Sequence, residues 1–215
     1  MEEKKVVFPI KEIDNPWLKE SMRVLRNNLI VDDSGHRILC FSSVFPKSGV
    51  STLVRLLALQ FGEIGKNVVI VSADLKHPDN FISGTLYTLK DYLMGNCSFE
   101  DLFISINDHT VYIAGSNSDV DYSSLLHMDL FFNLLGKLKE VYDFVLIDSP
   151  DFSTASEAII LSRFSESLVI VVKQNSLNMN KFADYYHKLQ RQNIVIKGVV
   201  INQIEETEDL GISIP

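Results

Sequence analysis

FSSVFPKSGVST, residues Phe41–Thr52, is the stretch that decides the fold. It follows the apolar run Ile38–Phe41 and precedes leucines that recur with the spacing of a helix. A strand, a tight loop containing proline and glycine, and a helix that opens with Ser51 and Thr52 form the frame of a phosphate-binding loop. In such a loop, successive backbone N–H groups surround a phosphate and the helix N-terminus adds partial positive charge.

The consensus for this loop, G-x-x-x-x-G-K-[ST], is only partly present. Counted back from Ser51, Gly49 takes the second glycine position, Val50 the lysine position and Val44 the first glycine position. The lysine that would reach the β- and γ-phosphates is therefore replaced by an apolar, β-branched residue. We predict a nucleotide site that lacks its main cation. The predicted nucleotide-binding residues are Pro46, Lys47, Ser48, Gly49, Val50, Ser51, Thr52 and Asn202.

Two aspartates follow apolar strands. Asp148 ends FVLID, the pattern of a Walker B strand, and Asp74 comes shortly after Val68–Val71. The carboxyl ends of parallel strands are where an α/β sheet places its ligand chemistry. If the protein is active, we expect Asp74 and Asp148 to be catalytic and, together with Ser51, to hold Mg²⁺. A turn or helix cap is the alternative role for Asp74.

Apolar strands alternate with amphipathic helices along the whole chain. This order predicts an α/β fold with a doubly wound, mostly parallel sheet flanked by helices, similar to P-loop NTPases. The predicted strands cover 37–42, 68–71, 111–115, 144–148, 168–172 and 194–201, and the longer helices cover 16–31, 51–63, 124–140, 156–163 and 180–190. Residues 1–215 are predicted to form a single domain, with an N-terminal arm at 1–14 and a short acidic tail without tyrosine at 205–215.

Composition excludes several classes of protein. The chain is 46% hydrophobic and 22% charged, as is ordinary for a globular protein, and its net charge of -8 disfavours nucleic acid as a partner. Cys40 and Cys97 form no C-x-x-C motif, and Cys40 is expected in the core. The sequence contains neither an 18-residue apolar run nor an N-terminal signal pattern. We therefore expect a cytoplasmic protein that reaches the inner face of the membrane only through a partner.

The first helix combines an apolar stripe with a row of charges. Pro16 suits the first helical position, and Trp17 is expected to anchor the helix start in the core. The stripe comprises Leu18, Met22, Leu25 and Leu29. Glu20, Arg23 and Arg26 are spaced E-x-x-R-x-x-R. Spacing alone fits either a solvated charged face or a contact between subunits.

Taken together, residues 15–204 resemble the cytoplasmic bacterial tyrosine kinases of capsule and exopolysaccharide synthesis, relatives of the partitioning and division-site P-loop ATPases. ESMRVLRNNL is similar to the family's E-x-x-R-x-L-R-T-N-L, and SSVFPKSGVST to T-S-x-x-P-G-E-G-K-S-T. ADLKHP resembles D-x-D-L-R-x-P, LKDYLMG resembles G-L-x-D-x-L-x-G, IDSP resembles I-D-T-P-P, and KGVVIN resembles G-V-V-L-N and ends at Asn202.

The resemblance carries implications for cofactors and partners. It implies ATP or ADP with Mg²⁺ as cofactors and the cytosolic tail of a membrane polysaccharide chain-length (co-polymerase) protein as a partner. In the family, the E-x-x-R-x-x-R motif assembles a ring, so Glu20, Arg23 and Arg26 become candidate oligomer contacts. Assembly with copies of itself or with kinase-like subunits is therefore expected.

The departures from the family pattern fall on its chemistry. Besides Val50, they include the loss of the first aspartate of the D-x-D pair and of the tyrosine-rich tail. The departing positions are Lys47, Ser48, Val50, Ser72, Lys76 and Asp151. The leading hypothesis is a degenerate, non-catalytic kinase-like protein that serves as a regulatory or structural partner. The alternatives are an active tyrosine kinase in which Lys47 replaces the missing lysine, and a partitioning-type ATPase switch.

Overall fold

The computed structural model describes residues 5–6, 15–31, 35–76, 82–83, 87–118, 121, 123–127, 129–153, 156–174 and 179–203. The strands are β1 (Lys5–Val6), β2 (Ile38–Ser43), β3 (Val68–Ser72), β4 (Ile82–Ser83), β5 (Ile104–Ser105), β6 (Thr110–Ile113), β7 (Phe144–Asp148), β8 (Ser167–Lys173) and β9 (Ile196–Asn202). The α-helices are α1 (Pro16–Val31), α2 (Val50–Gly62), α3 (Leu89–Leu93), α4 (Asp129–Val141), α5 (Glu157–Phe164) and α6 (Met179–Arg191).

Within these residues, seven strands form one sheet in the order β5-β6-β3-β7-β2-β8-β9. Every neighbouring pair is parallel except β5 with β6. The predicted doubly wound, mostly parallel fold is confirmed. The strand that leads into the phosphate loop, β2, lies between β7 and β8. β1 and β4 pair separately as a two-residue antiparallel ladder, so part of the predicted N-terminal arm is in a strand.

The sheet has a core on each face because side chains alternate along its strands. Leu39 and Phe41 of β2 point into the core beneath α1 and α2, while Cys40 points into the opposite core with α3, α4 and α5. All six residues of β2 are buried, as expected for a central parallel strand. Burial raises the pKa of the Cys40 thiol to about 12, so this cysteine is a neutral core residue as predicted.

The first helix forms as predicted. The Asn15 side chain accepts hydrogen bonds from the N–H groups of Trp17 (3.0 Å) and Leu18 (3.2 Å), an N-cap that fixes the helix start. Met22 and Leu29 from the apolar stripe are buried against α2, which runs beside α1. The prediction for Trp17 was wrong, because its side chain is 49% exposed.

The predicted helix over 124–140 differs from the structure. A 3₁₀ turn covers Ser123–His127, and α4 begins separately at Asp129. Leu126, Leu134 and Leu138 are nevertheless buried, since both pieces pack on the same core. None of the helices in the described ranges is both long and apolar enough to cross a membrane.

Candidate nucleotide-binding site

The loop between β2 and α2 has the compact form that a phosphate-binding loop requires. Two residues adopt the left-handed backbone conformation, Lys47 with φ of 61° and Gly49 with φ of 80°. The hydroxyl groups of Ser43 and Ser48 donate to the Phe45 carbonyl over 2.7 and 2.8 Å. The N–H of Leu53 donates to the Gly49 carbonyl, which closes the first turn of α2. The predicted strand, loop and helix frame is therefore present.

A cleft of about 310 Å³ opens over this loop. Seven of the predicted nucleotide residues line it together, namely Pro46, Lys47, Ser48, Gly49, Val50, Ser51 and Thr52. The other wall comes from the segment after β7, where Ser149, Pro150 and Asp151 lie. Sequence reasoning noted Asp151 only as a departure from a family motif. Asp151 lies three residues after the predicted Asp148. That proximity was the signal that could have placed Asp151 at the site.

Val50 takes the lysine position and is built into the core. It is the first residue of α2, and its side chain is 8% exposed. It belongs to the apolar cluster that includes Phe41, Leu53 and Val54. An apolar side chain therefore packs at the place from which the motif's lysine would reach a phosphate.

Asn202 stabilises the loop through a hydrogen bond from its side chain. It ends β9, and its side-chain Nδ2 donates to the Ser48 carbonyl over 2.9 Å. The next residue, Gln203, donates from Nε2 to the Lys47 carbonyl over 3.3 Å. A Cβ atom on Gly49 would lie 2.5 Å from Asn202 Nδ2, so the close approach requires glycine. Asn202 thus holds the loop in this structure, and Gln203 is a contact that sequence reasoning missed.

Asp148 and Asp74 lie at the carboxyl end of the sheet, as expected, but they do not line the loop cleft. Asp148 is the last residue of β7, is 8% exposed, and is in register with Phe41 on β2 and Ser72 on β3. The Asp74 carboxylate accepts the N–H of Lys76 over 3.0 Å, a turn contact of the kind considered for it.

Lys76 occupies the position at which the family has arginine. It forms an ion pair with Glu157, the first residue of α5. Its Nζ lies 3.1 Å from Glu157 Oε2 and 3.9 Å from Asp121 Oδ2. Glu157 is 9% exposed, so the stronger of these ion pairs is partly shielded from solvent. Sequence reasoning missed Glu157, because it carries no local signal that relates it to a residue 81 positions away.

The oxygen donors at this edge suit Mg²⁺. Ser51, Asp74 and Asp148 offer hydroxyl and carboxylate oxygens, the ligands that this ion prefers. In the described ranges, no group of three or more His, Cys, Asp or Glu side chains is placed to hold a metal ion. Mg²⁺ at phosphate loops usually keeps several waters and binds nucleotide phosphates with one or two protein ligands. Of the three, Ser51 lines the loop cleft whereas Asp74 and Asp148 do not, so joint binding of Mg²⁺ by these residues stays a prediction.

The charges predicted at an oligomer interface divide into two kinds. Arg23 and Glu20 are exposed and form a two-pronged pair at 2.8 and 2.7 Å. The hydrogen bond from Arg23 lowers the pKa of the Glu20 carboxyl. Arg26 is 8% exposed and donates from Nη1 to the carbonyl of Gln60 over 3.0 Å, in the last turn of α2. Within this chain, Arg26 therefore joins α1 to α2.

The sequence of the chain is similar to those of bacterial tyrosine-protein kinases. No family model matches the chain. It is 22% identical over 194 residues to the tyrosine-protein kinase CpsD of Streptococcus agalactiae, covering 88% of this chain and 85% of that protein. It is 24% identical over 211 residues to the tyrosine-protein kinase ptk of Acinetobacter johnsonii, covering 94% of this chain but 28% of that longer protein.

Solved structures show the same fold. The chimerical protein CapA2B2 matches with a TM-score of 0.80 and 24% identity, covering 90% of this chain and 87% of that one. The kinase domain of the Escherichia coli tyrosine kinase ETK matches with a TM-score of 0.80 and 22% identity over 94% and 84%. The septum site-determining protein MinD of Pyrococcus horikoshii, complexed with Mg-ADP, matches with a TM-score of 0.66 and 23% identity over 80% and 72%. The chain is thus similar in sequence to bacterial tyrosine-protein kinases, and it has the P-loop ATPase fold seen in solved kinase domains and in MinD.

Proposed function

We propose that the chain is a non-catalytic relative of these kinases that keeps the nucleotide-site frame without transferring phosphate. By its resemblance to the family, it would act in capsule or exopolysaccharide synthesis. There it would be a regulatory or structural partner of a membrane polysaccharide chain-length protein, bound to that protein's cytosolic tail. The observation that carries this proposal is the burial of Val50 in the core at the position of the phosphate-binding lysine.

The energetic consequence of this replacement is large. A hydrogen bond to a charged group contributes about 1.5–3 kcal/mol, which the nucleotide would lose with the lysine. Removal of one group that stabilises transition-state charge costs about 2.7–4 kcal/mol, a rate loss of about 10²–10³-fold. A second loss is expected at Ser72, where the family has a carboxylate. With both losses, we expect the chain to have no measurable phosphate-transfer activity. The N–H groups of the loop can still bind a nucleotide weakly.

The bracing of the loop supports a structural role. Asn202 and Gln203 fix the carbonyls of Ser48 and Lys47, so the loop keeps its form through contacts within the chain. Lys76 is likewise held by Glu157. Because these contacts lie within the chain, the loop keeps its shape without a nucleotide. The protein can therefore present the same surface to a partner whether or not a nucleotide is bound.

Assembly through α1 is part of the proposal. Glu20 and Arg23 are exposed and remain candidates for contacts between subunits. Arg26 is included as a positioning residue, because its bond to Gln60 fixes α1 on α2. Exposed ion pairs contribute little within one chain, so the pair can exchange its internal contact for one with a neighbouring subunit at low cost.

One observation favours a second candidate function, an active kinase with an unusual loop. Lys47 lies in the loop itself, is exposed, and lines the same cleft as Val50. Its left-handed backbone conformation places it in the tight bend of the loop. In this alternative, its ammonium group would take the role of the missing lysine, and Lys47→Ala would abolish turnover.

The deciding experiment compares the purified protein with CpsD from Streptococcus agalactiae under identical conditions. ATP hydrolysis and phosphotyrosine formation are measured with Mg²⁺, and ADP affinity is measured by calorimetry with and without Mg²⁺. We expect no turnover above the protein-free background and weak ADP binding. ATP consumption at a rate comparable with that of CpsD, lost in Lys47→Ala, would replace the proposal with the second candidate.

A further inference from the structure

The edge of the sheet at β9 is open and apolar. Among the described residues, β9 pairs only with β8 and forms the end of the sheet. The Asn202 carbonyl accepts the N–H of Gln174, just after β8, so the backbone of Asn202 faces β8. Because successive residues of a strand direct their backbone groups to opposite sides, the N–H and C=O groups of Val199 and Ile201 face away from β8. The side chains of these two residues are 47% and 59% exposed, and an edge of this kind is a template for another strand.

A groove runs between this edge and α1. It has a volume of about 260 Å³, and both elements line it. The α1 wall includes Trp17 and Val24, each of them 49% exposed. The β9 wall includes Val200, which packs against the core beneath α1 and α2. A strand added beside β9 would therefore direct every second side chain into the groove.

The sequence that follows β9 has the pattern of such a strand. Residues 204–215 lie outside the described residues, and their sequence is IEETEDLGISIP. Three apolar residues alternate with glycine and serine in this segment, namely Leu210, Ile212 and Ile214. This period of two is typical of a strand with one apolar face. The groove beside β9 requires a single apolar face of this kind.

The connection from β9 allows the chain to turn back along the edge. Gln203 lines the groove and has a φ of 55°, a left-handed conformation that ends the strand. Six residues, 204–209, separate it from Leu210 and can span up to about 20 Å. Four of the six are acidic, and the exposed Lys47 lies beside their starting point, because Gln203 Nε2 donates to the Lys47 carbonyl. A short connection also gives a high effective concentration, which favours pairing within the chain over pairing with a second copy.

We propose that residues 210–214 form an antiparallel strand on the open edge of β9, with the side chains of Leu210, Ile212 and Ile214 in the groove beside α1. The new strand pairs with the outward-facing backbone groups of β9 and covers Trp17. The edge is then closed to strands from other chains. This proposal depends neither on nucleotide binding nor on the function proposed above.

The intrinsic fluorescence of the protein tests the groove, because Trp17 is the only tryptophan. Ile212→Lys would place a charge in the apolar groove, so we expect emission at longer wavelength and stronger quenching by acrylamide. Ser213→Lys is the matched control, because it adds the same charge on the opposite face of the proposed strand and should keep the native spectrum. Hydrogen exchange at the amides of Val199 and Ile201 should be roughly tenfold or more faster in Ile212→Lys than in Ser213→Lys.

NMR of the native protein identifies the occupant without any substitution. We expect nuclear Overhauser effects between the methyl groups of Ile212 and the ring of Trp17. In a mixture of isotope-labelled and unlabelled protein, isotope filtering should assign these effects to contacts within one chain. Contacts between chains would assign the groove to a second copy and overturn the proposal. The same conclusion would follow from the absence of these contacts, from equal effects of the two lysine substitutions, or from an unchanged Trp17 spectrum in Ile212→Lys.

Discussion

The side-chain amide of Asn202 donates to the backbone carbonyl of Ser48 over 2.9 Å, joining the end of the last strand to the phosphate loop across 154 residues. The contact is possible because Gly49 leaves room for the amide. The loop is therefore shaped by β9 as well as by its own sequence.

This relationship predicts the effect of a methyl group at Gly49. Gly49→Ala places a Cβ 2.5 Å from Asn202 Nδ2 and forces alanine to a φ of 80°. Gly65→Ala is the matched control, because Gly65 has a φ of 73° but nothing within 4 Å of the added atom. We expect Gly65→Ala to lower the free energy of unfolding by about 1 kcal/mol, from backbone strain alone. Gly49→Ala should cost roughly 1 kcal/mol more in urea denaturation, because Asn202 must move and lose its bond. Equal losses in the two variants would contradict the close contact.

Removal of the Asn202 side chain should release the loop. Asn202→Ala is expected to lower the free energy of unfolding by about 0.5–1.5 kcal/mol, the usual net contribution of one hydrogen bond. Gln203→Ala is the control, since its bond to Lys47 is longer, at 3.3 Å, and exposed. Its effect should be within about 0.5 kcal/mol of zero. Hydrogen exchange at the amides of Lys47, Ser48 and Gly49 should accelerate in Asn202→Ala only, and equal exchange in both variants would exclude a special role for Asn202.

The sheet and the loop could be predicted because their signals are local. Apolar runs such as FVLI identify buried parallel strands, and proline and glycine between a strand and a helix identify the loop. The order of strands and helices then restricts the topology to a few possibilities. The predicted doubly wound sheet was therefore confirmed. Seven of the predicted loop residues line one cleft, and their role in nucleotide binding stays a prediction.

The remaining features depend on contacts between residues far apart in sequence. The pairing of Lys76 with Glu157 and of Gln203 with Lys47 carries no local pattern. Arg26 lies in the same charged row as Arg23, yet one is buried and the other exposed, because the approach of α2 decides which side of α1 is covered. The roles of the predicted nucleotide, metal and oligomer residues stay predictions.

The two arginines of α1 should respond differently to truncation. Arg26→Ala removes a buried, charge-assisted bond to the Gln60 carbonyl and the packing of a long side chain, so we expect a stability loss of about 2 kcal/mol. Arg23→Ala breaks only an exposed pair and should leave the free energy of unfolding nearly unchanged. If Glu20 and Arg23 form an interface, light scattering should show a smaller assembly for Arg23→Ala at unchanged stability. An unchanged mass would exclude Arg23 from assembly.

Glu166 should make stability depend on pH in the acidic range. Burial acts to raise the pKa of its carboxyl, but hydrogen bonds from Lys139 and from the N–H groups of Ile38 and Arg37 outweigh burial and lower that pKa. Since the folded state holds the proton less tightly, this stabilisation is present above the unfolded pKa of roughly 4.3 and is lost as pH falls below it. Urea denaturation between pH 6 and pH 3.5 should show a steeper loss for the native protein than for Glu166→Gln. Glu63→Gln, in an exposed pair with Lys19, should follow the native curve, and parallel curves for all three proteins would contradict the assignment.

Restoring the lysine at position 50 tests why the site is weak. Val50→Lys would direct an ammonium group toward the cleft and should tighten ADP binding with Mg²⁺ by roughly 10- to 100-fold, the equivalent of one charge-assisted contact. The exchange should also lower stability by about 1–2 kcal/mol, because an 8% exposed valine leaves the apolar cluster. Val50→Met is the matched control, since methionine is similarly long but uncharged, and it should leave ADP affinity unchanged.

We expect turnover to stay near background in Val50→Lys, because Ser72 still replaces a carboxylate, and to rise only in Val50→Lys combined with Ser72→Asp. If calorimetry gives the same ADP affinity for the native protein, Val50→Lys and Val50→Met, the missing charge does not limit binding and another departure from the family must explain it.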